Sequence, residues 1–219
     1  LFIGTVNGLF PVRERDGVLE ALADTDSIRT PVSELYYHPG SKKLFVGTFR
    51  KGILVYGVSA GSTLRNVAVN RITPLTDREL LIATGGRGVY RMDVDSLVPK
   101  PYITADYASH NGMNGDNIND IYVDGGDRIW LANYPAGVTI RNNRYQSYEW
   151  FRHSPGNSRS LVNDQVHDVI EDSEGDLWFA TSNGISLLQP AVGRWRSFLS
   201  RSDGIQDGGN HIFLTLCEV

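Results

Sequence analysis

The side chains able to do chemistry gather in three polar stretches: DYASHNGMNGDNIND (106–120), FRHSPGNSRSLVNDQ (151–165) and SDGIQDGGNH (202–211). They carry His110, Asn114, Asn117, Arg152, His153, Arg159, Asn163, Asp164 and Asn210. Shorter glycine turns add Asn7, Arg50, Lys51, Arg87, Tyr134 and Asn183. Amides, guanidinium groups, imidazoles and a phenol can hold a polar ligand by hydrogen bonds. The plainer reading is that Asn, Asp, Gly and Ser are what loops use.

Covalent chemistry finds little support. The histidines at 38, 110, 153, 167 and 211 form neither HExxH nor His-x-His, and no GxSxG occurs. Cys217 stands alone and reads as a small buried hydrophobe in a final apolar strand. DGGD (124–127) and DSEGD (172–176) offer clustered oxygens to a calcium ion. Their rhythm is not that of an EF-hand, and a structural hairpin turn is the preferred reading. No metal or cofactor is expected.

The elements that must position these groups repeat along the chain. LFIGTVNGLF from Leu1, LFVGTFRKGILVY from Leu44, LLIATGGRGVYRM from Leu80, IWLANYPAGVTI from Ile129 and LWFATSNGISLL from Leu177 align. Each apolar run ends in Gly or Ala and then Thr or Asn, followed by Gly8, Gly52, Gly88, Gly137 or Gly184. The run predicts a strand buried on both faces. Its small fourth residue admits a neighbouring sheet, and the later Gly supplies the positive φ of a tight turn. A strand precedes each core and a shorter aromatic strand follows, as in RYQSYEW and GRWRSFLS.

Four antiparallel strands, A to D, in a unit of roughly 45 residues describe a propeller blade. The fold class is therefore all-β: one propeller over 1–219, with repeat cores near 1–12, 44–58, 80–94, 129–143 and 177–190. The third core starts only 36 residues after the second, which predicts a clipped D strand between them. The chain begins at strand B and stops inside a strand A, and is expected to be a piece of something longer. Its last strand either opens a sixth blade of a larger ring or closes a five-bladed ring beside Leu1–Thr5; the larger ring is favoured.

Formal net charge is −4, with Lys and Arg scattered among carboxylates, so nucleic acid is disfavoured as a partner. No run of ~20 apolar residues is present to span a membrane.

HDVIEDSEGDLWFATSNGISLL followed by GRWRSFLSRSDGI closely resembles the two-component regulator propeller repeat. The unit at Ile118–Ile140 resembles it as well, the first two units match mainly in their LFIGT and LFVGT cores, and the third matches least. The resemblance implies the periplasmic sensor region of a hybrid two-component receptor, usually built of seven-bladed rings. Its partners would be an oligosaccharide, neighbouring domains of the same receptor and a second receptor copy, with a histidine kinase outside this chain. No catalytic residue is then expected here.

Sugars are held by aromatic faces against C–H groups and by amides, Arg and carboxylates on hydroxyls. In a four-strand meander the B–C turns and D–A loops share one end. The resemblance therefore implies a ligand site drawn from Tyr134, Arg152, His153, Trp150, Arg87, Asn114, Asn117, Asn163, Asp164 and Asn183. Tyr134 and Arg152 lead this set. Trp130 and Trp178 are expected to pack between blades. A propeller lyase or glycoside hydrolase, and a protein-binding scaffold, are the alternatives.

Overall fold

The computed structural model describes residues 1–23, 28–57, 63–105, 112–142, 147–198 and 212–218. Among these there are eighteen strands and no helix. They form five antiparallel meanders in two compact units, Leu1–Tyr102 and Ile103–Val219.

In the first unit, β1 (Phe2–Thr5), β2 (Gly8–Arg15) and β3 (Val18–Ala21) form one sheet. A second comprises β4 (Val32–His38), β5 (Lys43–Thr48) and β6 (Ile53–Val55). The third has β7 (Val69–Pro74), β8 (Glu79–Thr84), β9 (Val89–Asp93) and β10 (Pro99–Ile103), whose last residue opens the second unit. The second unit continues with β11 (Ile118–Val123), β12 (Arg128–Asn133), β13 (Gly137–Asn142) and β14 (Ser147–Phe151). Its other sheet is β15 (Val166–Glu171), β16 (Leu177–Thr181), β17 (Gly184–Gln189) and β18 (Arg194–Phe198).

Three sheets have the expected four strands and two have three. Among the described residues the first sheet has strands B, C and D, and β1, with no strand on its free edge among them, is half-exposed rather than buried on both faces. In the second sheet the only strand-D pairing among the described residues is a bridge between Ile53 and Thr63. The other B strands, β5, β8, β12 and β16, are buried along almost their whole length.

The repeated phrase has a local cause in each part. Thr5, Thr48, Thr84 and Thr181 donate their hydroxyls to the carbonyls of Gly8, Gly52, Gly88 and Gly184, at 2.7–3.1 Å. The same hydroxyls accept turn N–H groups from Asn7, Lys51, Arg87 and Asn183. All five turn glycines have positive φ. At Gly52 an added Cβ would lie 2.1 Å from the Thr63 carbonyl, so no other residue fits without moving the chain. The small residue before Thr admits the next sheet: a Cβ on Gly4 would lie 2.6 Å from Val32, and one on Gly47 2.9 Å from Val69.

Every A–B pair carries a bulge at the same place, after Val32, Val69, Ile118 and Val166. A bulge re-aims a side chain. The re-aimed residues are Ser33, Asn70, Asn119 and His167, and among these Ser33 and Asn119 reach the next strand A. Ser33 Oγ donates to Val69 O at 2.5 Å, and Asn119 Nδ2 donates to Val166 O at 3.0 Å. The following residue continues the junction. Asp120 accepts from Val169 N at 3.1 Å, and Glu34 pairs with Arg71 at 4.0 Å.

The segment 212–218 joins in the same way. Asp168, the counterpart of Asp120, accepts from Leu216 N at 2.7 Å, and Phe213 N donates to Thr181 O. It thus takes the place of a strand A next to the fifth sheet, although it is not itself a strand. No second strand pairs with it among the described residues, so Cys217 is exposed, not buried as expected.

The cores follow these junctions. In the second unit, Trp130, Phe151, Phe179 and Trp195 form a chain of ring contacts with centroids 5.1–6.2 Å apart. Trp130 is buried and Trp178 half-buried against Phe198. Both indoles donate inward to the carboxylates opening the A–B turns, Trp130 to Asp124 at 2.8 Å and Trp178 to Asp172 at 2.6 Å. Asp124 also accepts from Gly126 N, Arg128 N and Arg128 Nε, and Asp172 from Glu174 N and Asp176 N. The two carboxylates are therefore used up in holding hairpins.

Burial works against ionisation of Asp124, but the indole, backbone and Arg128 donors outweigh it and hold the carboxyl below its ordinary range. The Trp178 hydrogen bond does the same for Asp172. Such groups stabilise the fold above the unfolded carboxylate range and lose that contribution as pH falls through the folded value. Asp124→Ala is expected to cost about 2 kcal/mol or more by stranding a buried indole donor. Asp172→Asn should flatten the acid limb of a stability–pH profile below pH about 4. Urea midpoints between pH 2.5 and 7 check both; an unchanged profile in the Asp172 variant contradicts the assignment.

Candidate functional site

The loop end of the second unit is built on the β12–β13 turn. Gly137 lets this turn lie against the long 151–165 segment: its N–H donates to Asp164 O at 2.8 Å, and a Cβ there would meet Phe151 O at 2.4 Å. Tyr134 N donates to Asn117 O at 2.9 Å, joining the turn to the loop before β11. The Tyr134–Pro135 peptide is cis. Asn133 is fully buried and donates to Gly115 O at 2.9 Å. Three chain segments thus meet at Tyr134.

The Tyr134 ring stands 6.0 Å from the His167 ring, centroid to centroid. His167 Nε2 and Ser182 Oγ are 2.7 Å apart, and its Nδ1 lies 3.5 Å from Asn119 Nδ2. Burial pushes the His167 imidazole below its ordinary pKa, so it is neutral at pH 7. A phenol, a neutral imidazole, a hydroxyl and an amide therefore face one another across adjoining sheets.

The 151–165 segment is folded on Asp164. This carboxylate accepts from His153 N and lies 3.5 Å from the Arg152 guanidinium. His153 Nδ1 bonds Leu161 O at 2.8 Å, and Asn163 Oδ1 accepts from Gln165 N at 2.8 Å. Arg152 and His153 are exposed, whereas Asn163 and Asp164 are half-buried.

The structure thus brings together Tyr134, Asn117, Asp164, Arg152, His153 and Asn163. Trp150 is attached elsewhere: it lies in β14, is 40% exposed and donates to Gly112 O at 3.2 Å. Asn114 and Asn183 are exposed loop residues, the latter in the β16–β17 turn. Arg87 lies in the first unit, in the β8–β9 turn. His110 and Asn210 lie outside the described residues.

The loops alone did not point to Asn119, His167 and Ser182. The first two sit in strands and reach the site only because bulges turn them. Their signal was present as apolar–polar–charged–apolar at the head of each strand A: VSEL, VNRI, INDI and VHDV. Among the described residues no cluster of His, Cys, Asp and Glu could hold a metal ion, and no helix is long and apolar enough to cross a membrane.

Successive four-strand meanders joined through their A strands define a β-propeller chain. Residues 160–183 match the two component regulator propeller family, so the chain carries a repeat of that kind. Three solved structures, all from Bacteroides thetaiotaomicron, have similar folds. One is described as the extracellular domain of a one component system: TM-score 0.64, 18% identity, covering 92% of this chain and 29% of that one. Another is described as the extracellular domain of a hybrid two component system: TM-score 0.50, 21% identity, 92% and 26% coverage. The third is a protein of unknown function: TM-score 0.52, 11% identity, 88% and 55% coverage. At these identities the likeness establishes the fold, and the chain spans under a third of the first two. No curated protein matches the sequence significantly.

Because the folded His167 pKa is depressed by burial, its contribution to stability is complete above the ordinary imidazole value of 6.5 and declines as pH falls. Thermal melts at pH 5 and pH 8 should show a smaller difference in His167→Asn than in the parent. An equal or larger difference in the variant contradicts a half-buried neutral imidazole.

Proposed function

We propose that this chain is an extracytoplasmic, periplasmic ligand-sensing part of a hybrid two-component receptor. In this reading it recognises an oligosaccharide at the B–C/D–A end of its blades and leaves the sugar intact. The signal passes to a histidine kinase that is not among these residues. The observation that carries the reading is the position of the family match. Residues 160–183 run through Asn163, Asp164, His167 and Ser182, the same stretch that builds the loop-end site.

The chemistry of that site agrees. Tyr134 offers an aromatic face, and Asn119, Arg152 and Ser182 offer donors suited to hydroxyls. Glycoside hydrolysis would need a carboxylate poised for proton transfer. Asp164, the carboxylate at this site, is already engaged by Arg152 and the His153 amide. Signalling then requires that the ligand favour one arrangement of the receptor, with its neighbouring domains and a second copy, over another.

Calorimetry against plant and host oligosaccharides, with product analysis of every hit, tests the proposal. A sensor binds at least one sugar and returns it unchanged, and Tyr134→Ala weakens that binding roughly tenfold, as loss of an aromatic platform would. Breakdown of the sugar replaces the reading with a lyase or hydrolase. Silence toward every sugar, with capture of a protein, replaces it with a scaffold.

A further inference from the structure

The first unit has a feature of its own at the same end of its blades. Arg50, Lys51, Leu54, Arg65 and Asn66 line an open cleft of about 400 Å³. We propose that this cleft binds the carboxylate or sulfate groups of an acidic oligosaccharide. The inference rests on the sugar-sensing reading above and narrows its ligand class.

Three observations carry it. First, the cleft is held in shape by backbone bonds. Asn66 N donates to Arg50 O at 2.9 Å, and Ile53 and Thr63 exchange bonds of 2.9 and 3.1 Å. Lys51 N is anchored on Thr48 Oγ1 at 2.8 Å. Gly52 permits this closeness, as the contact with Thr63 shows. The cations therefore stand on two walls whose spacing is set before any ligand arrives.

Second, charge is segregated within the unit. Toward the A–B and C–D turns, three cations are matched: Arg78 with Asp95 at 3.0 Å, Lys43 with Asp95 at 3.7 Å and Arg91 with Glu79 at 3.4 Å. In sequence, the B–C turns and D–A loops of this unit carry five cations, Arg29, Arg50, Lys51, Arg65 and Arg87, against two carboxylates, Asp24 and Asp26. The whole chain has net charge −4, so its composition does not account for this cationic end. Arg and Lys together suit oxyanions, Arg by its planar fork and Lys as a point charge.

Third, Phe49 precedes Arg50 and leaves 52% of its surface exposed in the same turn. An aromatic face beside cations suits a charged sugar ring better than a bare ion.

The test uses the full chain with four probes: short oligogalacturonates, sulfated glycosaminoglycan oligosaccharides, neutral xylo-oligosaccharides and a single-stranded oligonucleotide. One or both acidic sugars should bind, and the two arms tell carboxylate from sulfate. Affinity should fall at least about tenfold in Arg50→Glu/Lys51→Glu through loss of charge-assisted bonds, and fall further as salt rises. Lys42→Glu, exposed at the opposite end, should bind like the parent. Arg50→Gln/Lys51→Gln, the milder pair, should give an intermediate loss and covers the case in which charge reversal disturbs folding. Acidic sugars bound equally well by the variants overturn the inference, as does tighter binding of the oligonucleotide. Binding of neutral sugar alone overturns it too, while leaving the sensor reading intact. If no sugar of any kind binds, both fall.

Discussion

The structure depends on the junction between successive A strands. A sheet that pairs only with itself leaves a row of edge groups and an apolar face to be covered. Here each strand A breaks register once, and the break turns polar groups toward the next strand. Ser33 and Asn119 reach a neighbouring carbonyl, while Asp120 and Asp168 reach a neighbouring amide. Small residues one strand away, Gly4 and Gly47, let the sheets come close enough for this to happen. Apolar packing supplies the bulk of the stabilisation, but these directed bonds set where one sheet lies on the next.

The two ends of each sheet follow from that constraint. At the A–B end, turns are closed by acceptors that belong to the fold: Asp124, Asp172, the Thr76 hydroxyl and His38 Nδ1 each take turn N–H groups. At the other end, four turns are closed by a Thr hydroxyl and a glycine and the fifth runs from buried Asn133 to Gly137. Tyr134, Arg50, Lys51 and Arg87 all lie within these turns. Division of labour between ends thus follows from which residue closes the turn.

Much of this was legible in the residue pattern. The five cores, the turn glycines and the clipped strand before Thr63 could be read because each leaves a local mark: a run of apolar residues, a Gly at fixed offset, a shortened spacing. The structural role of DGGD and DSEGD was legible for the same reason. The loop-end cluster was only half legible. Tyr134 and Asp164 lie in turns and loops, where polar residues attract notice. His167 and Asn119 lie in strands, where a polar residue reads as a surface position until the bulge is known. The basic cleft was hidden differently: Arg50 and Lys51 are adjacent in sequence, but Arg65 joins them only through the bridge from Ile53 to Thr63. Exposure of Cys217 was misread because strand-like sequence was taken to imply a strand partner.

The account holds that ligand recognition belongs to the B–C/D–A end and scaffold duty to the other. Amide hydrogen exchange on the whole chain, with and without a bound oligosaccharide, measures this most directly. Protection should increase in peptides covering 49–52, 63–68, 134–137 or 163–167 and stay unchanged at the A–B turns 39–42, 124–128 and 172–176. New protection at the A–B turns, with the loop end unaffected, would contradict the account.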